Sequence, residues 1–219
     1  MSQQKPVAVL ISGSGTNLQV LIDACNAPDY PARIALVISN KDDAQGLKRA
    51  QKAGIATQVI RHKDFSDRDA FDAALHKAII ASGAQLVCLA GFMRVLTAGF
   101  VEKWQGKMIN IHPSLLPSFK GMHTHKTALE AGVKIHGCTV HYVVPEMDSG
   151  PIIIQAAVPV LPDDTEEALA ARVLKAEHVI YPYALKMLAS GKVKLESGRV
   201  SKSFQAVQEY TLFNPDIRF

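Results

Sequence analysis

The stretch Val7-Ala-Val-Leu-Ile-Ser-Gly-Ser-Gly-Thr-Asn17 joins a short apolar run to a glycine-containing turn. Gly13 and Gly15 follow the run Val7–Ile11 closely, so a buried first strand explains it better than a signal peptide does. An amphipathic segment, Asn17–Asn26, comes after the turn and predicts a helix. A strand, a tight turn and a helix in this order are typical of the start of an α/β fold.

Apolar runs and amphipathic stretches continue to alternate through the first half of the chain. The predicted strands are Ile34–Ser39, Thr57–Ile60 and Leu86–Ala90, and the predicted helices are Ala44–Ala53 and Asp67–Ala81. Gly54 and Gly83 stand at the ends of the two helices, where glycine is a common stop signal. This βαβαβαβ succession predicts a parallel sheet with right-handed crossovers.

The second half has a different order of elements. Its predicted strands are Met108–His112, Val140–Val144 and Ile152–Val160, with weak strand character at Lys192–Leu195 and a short helix near Thr127–Ala131. We expect the longest helix to begin with Asp164 as its cap and Glu167 as the reciprocal partner, and to kink or break at Pro182. The predicted fold class is α/β, a mostly parallel, twisted sheet of about seven strands with helices on both faces. No linker-like composition occurs, so we expect a single domain over residues 1–219.

Composition argues against several classes of protein. The 219 residues are 48% hydrophobic and carry a formal net charge of +4, which suits one sizeable core and small anionic substrates. No Lys/Arg cluster indicates a nucleic-acid partner, and no apolar run reaches the roughly 18 residues of a membrane helix. Cys25, Cys88 and Cys138 lie far apart, which is typical of reduced core cysteines in a cytoplasmic protein.

The turn after the first strand is a candidate phosphate site. Ser12-Gly-Ser-Gly-Thr-Asn17 opens the first helix, whose free N–H groups and partial positive charge favour an anion. Thr16 and Asn17 can add side-chain contacts or cap the helix. The pattern is neither Gly-x-Gly-x-x-Gly nor a P-loop, and no acidic residue closes the second strand, so NAD binding is weakly supported. The alternative is a turn without a ligand.

The stretch Met108-Ile-Asn-Ile-His-Pro-Ser-Leu-Leu-Pro117 carries the strongest chemical signal. Because side chains alternate along a strand, Asn110 and His112 emerge on the same face. Pro113 tends to end the strand, and open α/β sheets place their chemistry at such strand ends. An amide donor beside a titratable imidazole suits a reaction that passes through an oxyanion. The alternative is a core histidine bonded to backbone, with an asparagine that caps a turn.

Asp148, in Pro145-Glu-Met-Asp-Ser-Gly-Pro151, is the candidate partner of His112. A carboxylate next to the imidazole would favour the protonated ring. The two strands that flank this loop could bring Asp148 to the same end of the sheet. The alternative is a structural turn, since Asp before Ser-Gly is a common turn sequence.

His112, His123 and His125 suggest zinc as a further alternative, since His-x-His on a strand can bind metal. Acidic residues are scarce in this loop and no cysteine is near, so we expect no metal. Packing or hydrogen bonding to a substrate is expected for His123, His125 and His141, and solvent exposure for His62.

Six segments, taken in order, match one family. They are Val9-Leu-Ile-Ser-Gly-Ser-Gly-Thr-Asn-Leu18, Leu89-Ala-Gly-Phe-Met-Arg94, Asn110-Ile-His-Pro-Ser-Leu-Leu-Pro117, His123-Thr-His125, His136-Gly-Cys-Thr-Val-His141 and Asp148-Ser-Gly-Pro-Ile152. From about Val7 to about Lys192 the chain resembles the folate-dependent, single-domain phosphoribosylglycinamide formyltransferases of de novo purine synthesis. The resemblance implies a Rossmann-like formyltransferase fold.

The resemblance also implies a reaction and a set of roles. The formyl group of 10-formyltetrahydrofolate would pass to the primary amine of glycinamide ribonucleotide (GAR), with no metal, in a monomer or homodimer. Asn110 and protonated His112 would donate to the oxyanion, while Asp148 would keep His112 charged and help to relay the proton.

Binding residues follow from the same resemblance. GAR would be held by Gly15, Thr16, Asn17 and Glu177, and folate by Arg68, Met93, Arg94, Val95, Leu96 and Asn110. We also expect the N-terminal half to bind phosphate or nucleotide, and the C-terminal half to hold folate and the catalytic residues.

Two places depart from the family pattern. Phe119-Lys120-Gly121 stands where many members have an aromatic-Pro-Gly turn, and Leu174 is apolar where some relatives carry a substrate-binding polar residue. One substrate contact is therefore expected to be missing or replaced.

Other enzymes share the Asn-x-His-Pro-Ser-Leu-Leu-Pro motif. Methionyl-tRNA formyltransferase would need a further tRNA-binding domain of about a hundred residues. Formyltetrahydrofolate hydrolase would carry an additional N-terminal regulatory domain. A non-catalytic folate- or nucleotide-binding module on the same fold is the remaining alternative.

Overall fold

The computed structural model describes residues 4–201 and Asn214. Its main sheet contains the strands β1 Lys5–Ile11, β2 Ala32–Ser39, β3 Thr57–Val59, β4 Leu86–Leu89, β5 Met108–His112, β6 Ile135–Tyr142 and β7 Ile152–Pro159. The spatial order is β3-β2-β1-β4-β5-β6-β7. Strands β3, β2, β1, β4 and β5 are parallel to one another, whereas β6 runs antiparallel to β5 and β7. The predicted mostly parallel sheet of seven strands is confirmed.

Helices cover both faces of this sheet. The α-helices of the described residues are α1 Thr16–Cys25, α2 Gln45–Lys52, α3 Arg68–Ala81, α4 Ala98–Lys103, α5 Thr124–Glu130 and α6 Glu166–Ala189, with a short 3-10 helix at His62–Asp64. Alternate residues of β1 belong to two separate cores, as the period of two in a strand requires. Val9 packs in the core that contains α1, α2 and α6, and Leu10 packs in the core that contains α3 and α4.

The strand order reverses next to β1, whose two neighbours are β2 and β4. In open α/β sheets, ligands bind outside the carboxyl ends of the strands at such a reversal. Here the Ser12 N–H donates to the Gly91 carbonyl at 3.1 Å, which ties together the segments that follow β1 and β4. The topology therefore predicts a ligand site at this end of the sheet.

The long helix α6 differs from its prediction. Thr165, rather than Asp164, is the cap, because its hydroxyl accepts from the Ala168 N–H at 3.2 Å. The Asp164 carboxylate is instead held by the Arg172 guanidinium at 2.6 and 2.8 Å, and it accepts from the Leu161 N–H. The helix also continues through Pro182 without a break.

Other differences arise where local sequence is a weak guide. Strand β6 begins at Ile135, five residues before the predicted Val140. Gly137 hides this start in the sequence, because glycine is not typical of strands and is required here by the close approach of β7. A Cβ added at Gly137 would lie 2.0 Å from the Ala156 carbonyl oxygen of β7. Helix α4 has no counterpart among the predicted elements, since a helix of six residues shows little periodicity. The weak strand at Lys192–Leu195 is observed only as the hairpin β8 Leu195–Glu196 and β9 Arg199–Val200.

None of the helices in the described part of the chain is long and apolar enough to cross a lipid bilayer.

Candidate active site

Asn110, His112 and Asp148 form a polar cluster at the carboxyl end of β5. His112 is 5% exposed, and the Asp148 side chain that faces it is largely buried. Asp148 Oδ1 lies 3.5 Å from His112 Nδ1. The structure therefore brings together the three residues that the sequence singles out as catalytic candidates, although Asp148 follows a different strand.

The turn Phe119-Lys120-Gly121 connects His112 to Asp148. His112 Nε2 donates to the Phe119 carbonyl at 3.0 Å, and the Gly121 N–H donates to Asp148 Oδ2 at 2.9 Å. The Lys120 ammonium reaches Ser149 Oγ at 2.5 Å, which adds a second link to the Asp148 loop. Both ring nitrogens of His112 thus face acceptor oxygens, and the departure from the aromatic-Pro-Gly pattern leaves this turn in contact with both residues.

Each of these two loops contains a non-glycine residue with a positive φ angle. Phe119 and Asp148 have φ angles of 53° and 50°, in the left-handed region where a side chain costs roughly 1–2 kcal/mol. Gly150 is needed for a different reason, because a Cβ added there would lie 1.7 Å from the Tyr142 carbonyl oxygen. The close passage of the loop past β6 is what carries Asp148 back over β5, and such strain is typical of functional sites.

His141 belongs to the same cluster, which its local sequence does not indicate. It is 2% exposed and pairs with Asn110 across the antiparallel strands β5 and β6. Its Nε2 lies 3.2 Å from Asn110 Nδ2 and 4.0 Å from Asp148 Oδ1, and its Nδ1 lies 2.9 Å from the Tyr142 carbonyl oxygen. Burial lowers the pKa of His141, while the Tyr142 carbonyl and Asp148 act in the opposite direction. Only knowledge of the strand register could have placed His141 here.

The glycine turn after β1 has the geometry of an open helix start. Gly15, with φ 70°, occupies the cap position of α1 and no side-chain hydrogen bond caps the helix. Of the two expected roles of Thr16 and Asn17, the capping role is therefore wrong, whereas a side-chain contact is observed for Asn17. A Cβ added at Gly15 would lie 2.5 Å from Gly46 Cα, because α2 approaches the turn closely. The first N–H groups of α1 have no intrahelical acceptor, and no acidic residue lies in the first turn. These features suit an anion.

Asn17 and Glu177 meet beside this turn. Asn17 Nδ2 donates to Glu177 Oε2 at 2.7 Å, and Glu177 is 7% exposed. Burial raises the pKa of the Glu177 carboxyl, and the hydrogen bond from Asn17 lowers it. Asn17 Oδ1 is buried and has no hydrogen-bond partner among the described residues. A buried acceptor of this kind calls for a donor, such as a hydroxyl or amine of a ligand.

Three of the expected folate residues line a common cavity of about 190 Å³. Its lining includes Arg68, Arg94 and Val95, together with His62, Phe65, Ser66, Asp67 and Phe71. His62 is half-buried rather than solvated, and its Nδ1 lies 3.3 Å from Asn40 Nδ2. Nothing in the sequence joins His62 to this group, because it lies in an otherwise polar segment.

The remaining folate candidates, Met93, Leu96 and Asn110, are not among the residues that line that cavity. The Met93 N–H donates to Ser12 Oγ at 2.8 Å, and this hydroxyl donates to Asn40 Oδ1 at 2.6 Å. The Met93 side chain is 63% exposed, whereas Leu96 is buried. The segment that follows β4 is therefore anchored by its backbone to the end of β1 and presents an apolar side chain to solvent.

The other histidines do not assemble around a metal. His125 Nδ1 lies 3.3 Å from His136 Nε2, and His123 precedes α5 with a φ of 59°. Burial, followed by the neighbouring His125, lowers the pKa of His136 to about 4. Within the described ranges, no group of three or more His, Cys, Asp or Glu side chains could hold a metal ion.

A larger cavity, of about 630 Å³, opens at the opposite end of the sheet. Lys5, Leu86 and Lys107, at the amino ends of β1, β4 and β5, contribute to its walls. Its lining includes no residue of the catalytic cluster, the glycine turn or the smaller cavity. We therefore do not assign the active site to it, although it is the larger of the two cavities.

Comparison with known proteins agrees with this geometry. The formyl transferase family profile matches residues 5–185. The phosphoribosylglycinamide formyltransferase of Haemophilus influenzae is 47% identical over 192 residues, which are 88% of this chain and 91% of that protein. The crystal structure of glycinamide ribonucleotide transformylase 1 from Symbiobacterium toebii superposes with a TM-score of 0.87 at 48% identity, over 90% of this chain and 93% of that one.

A longer relative matches as well. The trifunctional purine biosynthetic protein adenosine-3 of Bos taurus is 55% identical over 195 residues, which are 89% of this chain and 19% of that protein. The chain thus spans about a fifth of this trifunctional relative and most of the length of the Haemophilus influenzae protein. On the family profile, the sequence identities and the shared fold, the chain belongs to the phosphoribosylglycinamide formyltransferases of the formyl transferase family.

Proposed function

We propose that this protein transfers the formyl group of 10-formyltetrahydrofolate to the primary amine of GAR, giving formyl-GAR and tetrahydrofolate. This reaction is a step of de novo purine (IMP) biosynthesis. The observation that carries the proposal is the cluster of Asn110, His112 and Asp148 at the carboxyl end of β5, on the same edge of the sheet as the glycine turn after β1.

The chemistry requires a site for a developing negative charge. The amine nitrogen attacks the formyl carbon, the C–N10 bond of the folate breaks, and one amine proton is finally taken up by N10. Asn110 presents an amide N–H on the same face of β5 as His112 and can donate to the oxyanion, and the positive charge of a protonated His112 would stabilise the same oxyanion. Asp148, 3.5 Å from His112, stabilises the protonated ring and relays the proton through water.

GAR carries a phosphate, a ribose and an amine, and the site offers a complement to each kind of group. The open start of α1 at Gly15, Thr16 and Asn17 suits the phosphate. Glu177 and the unpartnered Asn17 Oδ1 are acceptors, which suits donation from ribose hydroxyls or an amine. Leu174 lies one helical turn before Glu177 and offers no polar atom, so we propose that GAR makes fewer contacts with α6 here than in relatives with a polar residue there.

The folate is assigned to the other side of the catalytic cluster. Arg68, Arg94 and Val95 line the 190 Å³ cavity. Met93 and Leu96 belong to the same segment as Arg94 and Val95, and Asn110 lies on β5, so we assign these three residues to the part of the folate nearer the catalytic cluster. The apolar side chains would pack on the pterin, and the guanidinium groups would attract the folate carboxylates.

This arrangement assigns the two substrates to two parts of one domain over residues 1–219. The turn after β1, with Glu177 of α6, would bind GAR, and Arg68 with the segment after β4 would hold most of the folate. The C-terminal half would supply the catalytic residues, so the folate site is not confined to that half. We further propose a cytoplasmic enzyme, a monomer or homodimer, that uses 10-formyltetrahydrofolate as co-substrate without a metal.

The test is a transfer assay with three acceptor conditions. The protein is given 10-formyltetrahydrofolate with GAR, with glycinamide lacking the ribose phosphate, or with water alone, and both tetrahydrofolate and formylated product are measured. We expect formyl-GAR to form rapidly only with GAR. Release of formate at the same rate without GAR would indicate a hydrolase, and no turnover by folded protein that still binds folate would indicate a binding module.

A further inference from the structure

We propose that His141 is a positioning residue, which accepts one N–H of the Asn110 amide so that the other N–H faces the reacting centre, and which leaves Asp148 free to pair with His112. The inference rests on the proposed formyl transfer and deepens it. It follows from the contacts of a buried histidine to which the resemblance assigns no role.

The backbone determines which nitrogen of His141 carries a proton. Nδ1 lies 2.9 Å from the Tyr142 carbonyl oxygen, which can only accept, so Nδ1 is the donor. In the neutral ring Nε2 is then a lone-pair acceptor. Burial of His141, at 2% exposure, favours this neutral form.

The tautomer of His141 in turn orients Asn110. Asn110 Nδ2 lies 3.2 Å from His141 Nε2 and donates to it. A flipped amide would place its carbonyl oxygen against the same lone pair, which is repulsive, so neutral His141 selects one orientation. The second N–H of Asn110 remains available for an oxyanion. Preorganised donors of this kind supply much of the stabilisation of a tetrahedral intermediate.

Asp148 lies near both His112 and His141, and the neutral state of His141 also affects which of them it pairs with. Asp148 Oδ1 lies 3.5 Å from His112 Nδ1 and 4.0 Å from His141 Nε2. A protonated His141 would compete for this carboxylate and would lose its lone pair for Asn110. The charged or titratable groups that face His141 are Asp148 and His112. Both effects of protonation would therefore act against transfer.

Three substitutions separate this role from a merely structural one. His141→Leu keeps the volume and removes the acceptor. His141→Gln offers an amide oxygen near the position of Nε2, so it should restore the orientation of Asn110. His76→Leu is the matched control, because His76 is a partly buried histidine of α3 that contacts Trp104 and lies outside the site.

The first experiment is a double-mutant cycle with Asn110→Ala. We expect His141→Leu to lower kcat about 10- to 100-fold with little change in the KM of GAR, and His141→Gln to remain within about threefold of wild type. In the Asn110→Ala background, His141→Leu should change kcat by less than about twofold, because its partner is already gone. Equal losses in both backgrounds would overturn the proposal, and His76→Leu should leave kcat unchanged.

The second experiment does not depend on activity. Nitrogen-15 NMR of the full chain, with the His141 signals assigned by their absence in His141→Gln, reports the tautomer directly. We expect a neutral ring with its proton on Nδ1 at pH 7. A proton on Nε2, or a charged ring, would overturn the inference even if transfer to GAR is observed. If wild-type protein shows no transfer, the proposed function fails while this measurement still decides the orientation of Asn110.

Discussion

Asp148 contacts two groups that lie far from it in the sequence: its Oδ1 lies 3.5 Å from His112 Nδ1, and its Oδ2 accepts from the Gly121 N–H at 2.9 Å. One carboxylate thus holds both the imidazole and the turn whose Phe119 carbonyl accepts from the other ring nitrogen. The position of His112 therefore depends on the path of the Asp148 loop as well as on β5. This dependence leads to predictions about residues that take no part in the chemistry.

Gly150→Ala should strongly lower activity by displacing the Asp148 loop. A Cβ at Gly150 would lie 1.7 Å from the Tyr142 carbonyl oxygen, which is backbone and cannot move aside, so the loop must shift and carry Asp148 with it. We expect kcat to fall by about two orders of magnitude or more, together with a lower free energy of unfolding. Steady-state kinetics and urea denaturation measure the two effects.

The control for that substitution is Gly99→Ala. A Cβ at Gly99 meets no atom within 4 Å, and the residue lies in helix α4, where alanine is favoured by up to about 1 kcal/mol. It should keep wild-type activity and gain slightly in stability. Wild-type turnover in Gly150→Ala would show that the loop path does not control the site.

Glu177→Gln should weaken GAR binding and stabilise the free protein at neutral pH. Because burial raises the pKa of this carboxyl, the folded state disfavours the charged form, and this cost is present at pH 7. Removing the charge should raise Tm by a few degrees at pH 7, and the gain should shrink as the pH falls toward about 4, where the carboxyl becomes protonated even in the unfolded chain.

In the same variant the KM of GAR should rise about tenfold or more, since hydrogen bonds to charged groups are the stronger ones. Thermal unfolding at several pH values and saturation kinetics are the measurements. A gain in Tm that is the same at pH 4 and pH 7 would contradict the assigned cause.

His136 should make the protein sensitive to mild acid. Its pKa is lowered to about 4, from 6.5, so the unfolded chain takes up a proton that the folded chain refuses. Above pH 6.5 the ring is neutral in both states and costs no stability; as the pH falls from 6.5 toward 4 the free energy of unfolding decreases, with a slope of up to about 1.4 kcal/mol per pH unit. His136→Gln should flatten this part of the curve of unfolding free energy against pH. An unchanged slope would assign the acid sensitivity to other groups, such as His125.

The fold can be predicted from the sequence where apolar periodicity is strong. β1 and β4 are predictable because each is a continuous apolar run, and Gly54 and Gly83 mark helix ends. The start of β6 is not predictable, because Gly137 is required by the approach of β7 and weakens the local strand pattern. The predicted cap of α6 lies one residue too early, since Asp164 is taken by Arg172, an interaction that only the folded helix creates.

The candidate site, like the fold, is only partly predictable from the sequence. Asn110 and His112 are readable because they lie two residues apart on one strand. The proximity of Asp148 depends on a loop that folds back past Gly150, and the inclusion of His141 depends on its register opposite Asn110. Contacts between strands that are distant in sequence carry no local signal, so these two require the structure.

The central claim is that His112 and Asp148 act together in formyl transfer to GAR. The most direct measurement is kcat for wild type, His112→Ala and Asp148→Asn at saturating 10-formyltetrahydrofolate and GAR, with folding of each variant checked by circular dichroism. We predict that both variants fold and lose at least about 10²-fold in kcat, because each removes the proton donor or the group that keeps it charged. Turnover within about twofold of wild type in either folded variant would contradict the claim.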